Sequence, residues 1–543
     1  LGVDIETRAW NIECIALAWS TRDAICIPFI TADGSHYWCE EDEVAIVYLL
    51  YKLLSHKNCW ILGQGFAYDD QYIFRKWHFS PNLKRDTLIA QHSLYSEMPK
   101  DLSFLSSMYI PHHTHWKDER DSFGNEQRWR YNCKDAVITY EIDQGQREAI
   151  ANAKMTEVES FQQTLYHPVM NAMRRGILVD LSEREKFDQE LCSLIQEREN
   201  YIEYVVGRPL NVNSPKQMVD FFYRELNQKK RTKRGTGSLT CDDEALWKIC
   251  EKNVILKPLV TAITELRSLR VFLKTFVRCQ LSEGNRLRCE YKIGGTKTYR
   301  FASNSNAFGE GTNFQNIPDG QRSTIDLPNV RKLFIPDPGH TFFDIDLDSA
   351  DLRIVVEVMK EYFKNPNMTK HDKEYTMFKS LCHGTHYLGT PQGLALRLGL
   401  LVHEIETISK WYHGKFPGLK VWQDSVRDQV FKRKKVTNVL GYQKYFFDRI
   451  NEATIREAIA WIPQSTVACI INRAFVDLYE NHRSLVEVLL QVHDSLGGQF
   501  KTEDKEKVCK IIVKAAEVKL PYEKPLVIPA EVHTSELSWG HCK

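Results

Sequence analysis

The sequence predicts a multidomain α/β protein, and three observations carry that reading. At 543 residues the chain is too long for one core, and a rule of about one domain per 150 residues gives three or four. Residues 1 to about 150 alternate short strand-like runs (GVDIE, CIALAWS, AICIPFI, CWILG) with helical patterns (DEVAIVYLLYKLL, DAVITYEIDQGQREAI), the pattern of an α/β unit. From about 156 to 290 the pattern is mainly helical, and strands return at TFFDIDLDSADLRIVV and at LLQVHDSLGGQF.

Within the helical stretch, NVNSPKQMVDFFYREL offers Ser214 as an N-cap and Pro215 at the first helical position, the arrangement that starts a helix. NQKKRTKRGTGS, residues 227–238, is a basic loop that suits either solvent or a phosphate backbone. Lys+Arg 72 against Asp+Glu 71 gives a formal charge of +1, so a polyanion would be held by local basic patches rather than by overall charge. The 14 cysteines include no C-x-x-C pair, which argues for free thiols in a reducing compartment. No run approaches the ~18 apolar residues of a membrane span, and LGVDIET does not read as a signal peptide. A soluble, cytoplasmic protein without a membrane partner is expected. No internal repeat or low-complexity segment is present.

Carboxylates carry the chemistry. In VDIETRAW, Asp4 and Glu6 lie two apart in a strand-like run and share a face. GQGFAYDDQYIF places Asp69 just past a turn, and RYNCKDAVITYEI sets Tyr131 and Asp135 at i and i+4 on one helical face. Each alone fits a solvated edge. Together, four carboxylates from a strand, a turn and a helix could hold two divalent metals about 3.5–4 Å apart, the arrangement that hydrolyses phosphodiesters. Tyr131 could orient the attacking water.

A second set lies in TFFDIDLDSADLR, where alternation puts Phe343, Ile345 and Leu347 on one face and Asp344, Asp346 and Asp348 on the other. The apolar strand pair at 489–500 carries His493 and Asp494 at its centre. A buried carboxylate demands a cation, a metal or a wet cleft, and two magnesium ions shared with Asp346 would satisfy it if the two strands are neighbours. Between them, KEYTMFKSLCHGTHYLG sets Lys379, His383 and Tyr387 at i, i+4 and i+8 on a helix. Helix packing and a Cys382/His383/His386 zinc set are the alternatives, the latter without a fourth ligand at finger-like spacing.

These motifs resemble family A DNA polymerases, the DNA polymerase I family, over nearly the whole chain. Asp4 with Glu6, then Asp69, then Tyr131 with Asp135 resemble the three motifs of a proofreading 3′-to-5′ exonuclease. TKTYRFASNSNAFGEGTNFQNIP, DLDSADLR, FKSLCHGTHYLG and QVHDS resemble the polymerase motifs in order. The resemblance implies a ribonuclease-H-like exonuclease domain over 1–152, then a right-hand polymerase over 153–543. Its thumb would span about 190–290, its palm about 291–352 and 456–543, and its fingers about 353–455.

It further implies that Asp346 and Asp494 bind catalytic Mg2+ (two per active site, with Mn2+ as a substitute), as do Asp4, Glu6, Asp69 and Asp135 in the nuclease. Lys379 would bind the incoming dNTP, His383 would lie below its sugar, Tyr387 would stack near the template base, and Asp351 would crowd the sugar 2′ position. Arg300, Asn313, Gln315, Arg456, Gln464 and His493 would contact primer-template DNA. Gly65 stands where the family usually has Asn, Asp351 where it has Glu, Tyr375 where it has Arg, Ala460 where it has Asn, and Ser495 where it has Glu. His383, in place of an aromatic residue, is bacteriophage-like, and the segment 346–379 is shorter than usual. The implied function is a replicative, proofreading polymerase of a phage genome. A nuclease with an inactive polymerase-like clamp is the alternative, and a non-enzymatic scaffold gains nothing from clustered acids facing DNA.

Overall fold

The computed structural model describes residues 1–121, 124–233, 235–318, 327–347, 381–382, 384–398, 400–492, 494–523 and 525–542. Among the residues singled out above, Asp348, Asp351, Tyr375, Lys379, His383 and His493 lie outside them. The chain forms two compact units. One comprises Leu1–Arg175, Glu290–Ser303 and Phe343–His533, and the other Gly176–Cys289, Asn304–Phe342 and Thr534–Lys543.

The first unit begins with a five-stranded mixed sheet: β1 (Gly2–Arg8), β2 (Asn11–Ala18), β3 (Ala24–Pro28), β4 (Ile61–Gly63) and β5 (Leu83–Asp86), in the order β3-β2-β1-β4-β5. β1 pairs antiparallel with β2 and parallel with β4. Helices α1 (Glu40–Leu54), α2 (Ala67–Trp77), α3 (Thr87–Leu94), α4 (Leu102–Tyr109) and α5 (Asn125–Ala153) surround it. Central β1 turns Val3 and Ile5 into the core on one face. On the other, Gly2 and Asp4 stand opposite Ala18 and Ala16 of β2, and these small residues pack against Ala136 of α5. A Cβ at Gly2 would lie 2.9 Å from the Ala136 carbonyl oxygen. The small side chains thus let α5 lie directly on the face that carries Asp4 and Glu6.

A second sheet, in the order β14-β15-β11-β18, contains β11 (His340–Leu347), β14 (Glu487–Val492), β15 (Ser495–Lys501) and β18 (Ala530–Ser535). The β14–β15 register pairs Val492 with Ser495, and Asp494 lies in the turn just before β15. Gly498 is required by close approach, since its Cβ would lie 2.8 Å from the Phe343 ring and collide with the Glu487 carbonyl. The pairs β8 (Glu290–Lys292) with β9 (Ala302–Asn304), β12 (Lys435–Thr437) with β13 (Gln443–Tyr445) and β16 (Lys519–Leu520) with β17 (Leu526–Val527) complete the small sheets.

The core of the first unit is organised by the Glu452–His482 helix. Its length and apolar composition would suffice to cross a membrane, but 67% of that window is buried inside the protein, so here it is a core helix. Tyr299, Tyr442 and Trp461 meet against it with Ala90 and Leu94 of α3 and Ile150 of α5. Beside this core, Glu97 pairs with both Lys297 and Lys444, and the buried Lys444 also meets Glu457 at 2.9 Å.

The second unit is mainly helical, as the pattern over 156–290 predicts, with α6 (Thr156–Thr164) and α7 (Tyr166–Arg175) of that stretch in the first. It contains α8 (Leu181–Val206), α9 (Pro215–Val219), α10 (Asp243–Cys250) and α11 (Lys257–Phe272), and a small sheet of β6 (Ile177–Val179), β7 (Arg286–Leu287) and β10 (Phe334–Ile335). Ser214 caps α9 by accepting from the Gln217 amide with Pro215 in the first turn, as expected. Among its described residues the basic tract carries a bridge between Thr232 and Leu239. The 14 cysteines are all free thiols.

Candidate active sites

The N-terminal acids converge. Asp4 and Glu6 project from β1, and α5 lies across them with Tyr131, Asn132 and Asp135 on its inner face, all three buried. Carboxylate oxygens of Asp4, Glu6 and Asp135 lie within 4.8 Å of one another. Asp69, in the first turn of α2, accepts from the Ile5 amide at 3.0 Å, which locks α2 onto β1 between the two strand acids. Asn132 donates to Asp4 Oδ2 at 2.6 Å and accepts from the thiols of Cys14 and Cys26.

Burial, followed by repulsion from Asp135, Asp69 and Glu6, pushes the Asp4 carboxyl well above its usual range. Burial does the same to Asp69, against hydrogen bonds that oppose it. Such an array is stabilised by a cation. Carboxylate oxygens gathered in this way are the donor set of a hard divalent ion such as Mg2+ or Mn2+, so the residues fit one.

One cation is supplied by the chain itself. Lys117 Nζ donates to Asp135 Oδ2 at 2.7 Å and to the Tyr131 hydroxyl at 2.9 Å, while Trp116 Nε1 donates to Asp135 Oδ1 at 2.5 Å. Burial alone would lower the Lys117 pKa, but the Asp135 charge and the hydrogen bonds to Asp135 and Tyr131 outweigh it and raise it. Burial also pushes the Tyr131 phenol up to about 12, so it is a neutral hydroxyl at physiological pH. Neither Trp116 nor Lys117 was singled out by the sequence pattern, because HTHWKDER has no period that marks a site.

Gly65 has a simple explanation. Its φ is +61° and a Cβ there would meet only Leu88 Cδ1 at 3.5 Å. This left-handed conformation is one that Gly and Asn both adopt readily, so the exchange of one for the other preserves the backbone. The Gly65 and Phe66 amides at this turn are held by Asp86 at 2.9 and 2.8 Å.

The second set is organised by the β11/β14/β15 sheet. β11 lies beside β15, as the magnesium reading required, and it alternates as predicted: Phe343, Ile345 and Leu347 are buried, Asp344 is half-buried and Asp346 exposed. Asp494 sits in the β14–β15 turn with 41% of its side chain exposed, and its partner is Arg300 Nη2 at 2.7 Å. The expected buried charge is therefore relieved by a turn and an arginine.

Tyr299, just before Arg300, is fully buried with φ +63°. It is held there by rings of His92 and Tyr442, centroids 4.7 and 4.6 Å away, and by Asn472 donating to its carbonyl at 3.1 Å. That anchor aims Arg300.

Arg456, Ala460 and Gln464 follow one another at four-residue intervals along the Glu452–His482 helix, all half-exposed beside buried Ile455 and Ile459. The helix that leads to Tyr387 ends there. The Gly389 amide bonds the Gly384 carbonyl at 2.7 Å, the Leu388 amide bonds that of Thr385 at 3.3 Å, and Leu388 has φ +54°. This is a Schellman stop, which places Tyr387 at the helix terminus, half-buried against the main core. Asn313 and Gln315 belong to the second unit, where Asn313 caps the Phe314–Asn316 turn by accepting from the Gln315 amide at 3.0 Å.

The profile of DNA polymerase family A matches residues 182–370 and 356–540, more than half of the chain. The chain belongs to DNA polymerase family A. DNA polymerase I of Borreliella burgdorferi is 25% identical over 591 residues, covering 99% of this chain and 62% of its own length. DNA polymerase I of Geobacillus stearothermophilus is 24% identical over 412 residues, covering 69% of this chain and 45% of its own. The chain thus spans less than two thirds of these family A relatives. In fold it is similar to the POL domain of Pol1 from M. smegmatis in complex with DNA primer-template and dNTP, with TM-score 0.80 and 20% identity over 100% of this chain and 96% of that one.

Proposed function

We propose that the chain is a template-directed DNA polymerase that extends a primer with dNTPs and proofreads with a 3′-to-5′ exonuclease. The observation that carries the reading is the presence, within one compact unit, of two separate carboxylate sites: Asp4, Glu6, Asp69 and Asp135 in one, and Asp346 with Asp494 on neighbouring strand elements in the other. Membership of family A, and a fold shared with a domain described in complex with primer-template and dNTP, support the polymerase half. The β3-β2-β1-β4-β5 order, with the acids on central β1, supports a ribonuclease-H-like nuclease half. His383 supports a bacteriophage-type replicative enzyme.

Magnesium or manganese held by these acids would supply Lewis-acid polarisation of the phosphate and a more nucleophilic oxygen. The chain's own residues do the rest. Asn132 fixes the Asp4 carboxylate, and the neutral Tyr131 hydroxyl is placed to orient water beside Asp135. Arg300 neutralises and aims Asp494. Lys379 would hold the triphosphate, and Arg456 and Gln464 the new pair. The basic tract 227–238 would hold duplex phosphates without reading sequence.

A 5′-labelled primer on a longer template, with Mg2+ and with or without four dNTPs, tests this. Extension with dNTPs and shortening without them are expected. One observation favours a second reading, a nuclease with an inactive clamp: Asp494 is engaged by Arg300. Shortening in both conditions with no extension would leave that reading standing and sink the polymerase.

A further inference from the structure

We propose that Lys117 is a built-in cation of the N-terminal site, a positioning residue that takes the place of one of the two divalent ions a four-carboxylate site would otherwise bind. The inference rests on reading that site as a cation-dependent nuclease.

The placement of Lys117 is built rather than incidental. Trp116, beside it, is buried with Leu102, Leu105, Tyr131 and Ile142, and its indole N–H holds the other oxygen of Asp135. The short Lys117–Asp121 turn is tied back to α5 by Glu119, which accepts from Lys134 at 2.5 and 2.7 Å. Lys117 Nζ therefore bridges Asp135 and Tyr131 and lies 5.1 Å from the centre of the Tyr131 ring. Only 28% of its side chain is exposed.

Charge counting gives the consequence. When ionised, Asp4, Glu6, Asp69 and Asp135 carry four negative charges, which two divalent ions would cancel. With Lys117 present, one divalent ion leaves a single negative charge, and a second would make the site positive in a water-poor setting where like charges repel strongly. The three oxygens within 4.8 Å, from Asp4, Glu6 and Asp135, make one compact ion site. Asp69 is committed through Oδ1 to the Ile5 amide. Lys117 keeps Tyr131 and Asp135 in register beside that single ion.

The test counts bound Mn2+ by electron paramagnetic resonance on the full chain. Asp346→Ala and Asp494→Ala are included to silence the other site, and the count is made before any single-stranded oligonucleotide is added. The Lys117 chain is expected to bind one Mn2+. Lys117→Met is expected to bind two, and Lys117→Arg, which keeps the charge, one. Shortening of the oligonucleotide by Lys117→Met should fall at low Mn2+ and recover at high Mn2+, as a second ion replaces the lost charge. Equal counts in all three chains, whether one or two, overturn the proposal. If no chain shortens an oligonucleotide, the nuclease reading fails on its own account, and the Mn2+ count still decides the place of Lys117.

Discussion

The two carboxylate sites solve the same electrostatic problem in opposite surroundings. At the N-terminal site the acids are mostly buried under α5, so desolvation and mutual repulsion raise Asp4 and Asp69 well above the usual value of 3.8. At the other, Asp494 stands in a turn with 41% of its side chain exposed and Arg300 beside it. Each has recruited a basic side chain, Lys117 for Asp135 and Arg300 for Asp494. The difference is that the buried site depends on cations to hold its charges at all, whereas the turn can lean on solvent. Closing a site with a helix strengthens each charge and makes the ion-free state costly.

The largest test of this contrast is removal of one acid from each site. Asp494→Ala should lower primer extension about a thousandfold, since a lost metal ligand forfeits several kcal/mol and each 1.36 kcal/mol is tenfold, and should leave shortening intact. Asp135→Ala should do the reverse. If either variant lost both activities, the two sites would not be separate. Next in size, Asn132→Ala frees the Asp4 carboxylate and should lower shortening roughly 10–100-fold without changing extension in the same gel assay.

Proton linkage then sharpens the comparison. For a carboxyl whose folded pKa is raised, the folded state holds more protons than the unfolded one, so stability falls as pH rises from 3.8 through the raised value. Divalent ions bind the deprotonated array and oppose that loss. The rise in Tm on adding Mg2+ should therefore be larger at about pH 8 than at about pH 5.5, and Asp4→Asn should shrink the difference, with Asp69 carrying what remains. A pH-independent rise in scanning calorimetry would mean that the buried acids do not set the ion demand. The smallest effect is expected at Gly65. Gly65→Asn should be nearly neutral in urea unfolding, whereas Gly65→Val should cost roughly 1–2 kcal/mol because φ is +61°.

Local periodicity made part of this legible in the sequence. Asp4 and Glu6 on β1, and Asp346 on β11, could be read because strand alternation is a rule of neighbours. The same holds for Tyr131 and Asp135, one helical turn apart. The contacts that complete each site could not be read this way. Asn132 reaches Asp4 across 128 residues and Arg300 reaches Asp494 across 194, and Lys117 lies in a turn with no repeating pattern. The stop at Leu388 and Gly389, which ends the helix at Tyr387, is likewise set by backbone bonds that leave no side-chain period. The bond from Arg300 to Asp494 depends on Tyr299 being pinned between His92 and Tyr442, contacts between distant segments that no local pattern carries.

The Glu97 ion cluster bears on how the chain could be cut. A boundary near residue 152 reads as a seam, yet Glu97 neutralises Lys297 and the buried Lys444, and α3 lends His92, Ala90 and Leu94 to the packing around Tyr299. A fragment beginning after Ala153 would keep Lys444 buried with Glu457 as its remaining acid and would open a hole beneath Arg300. A buried charge stripped of a partner costs about 3–5 kcal/mol. The N-terminal segment therefore serves as scaffolding for the rest of the first unit whatever chemistry its own acids carry, and point substitutions at those acids, rather than truncation, are the way to silence that site alone.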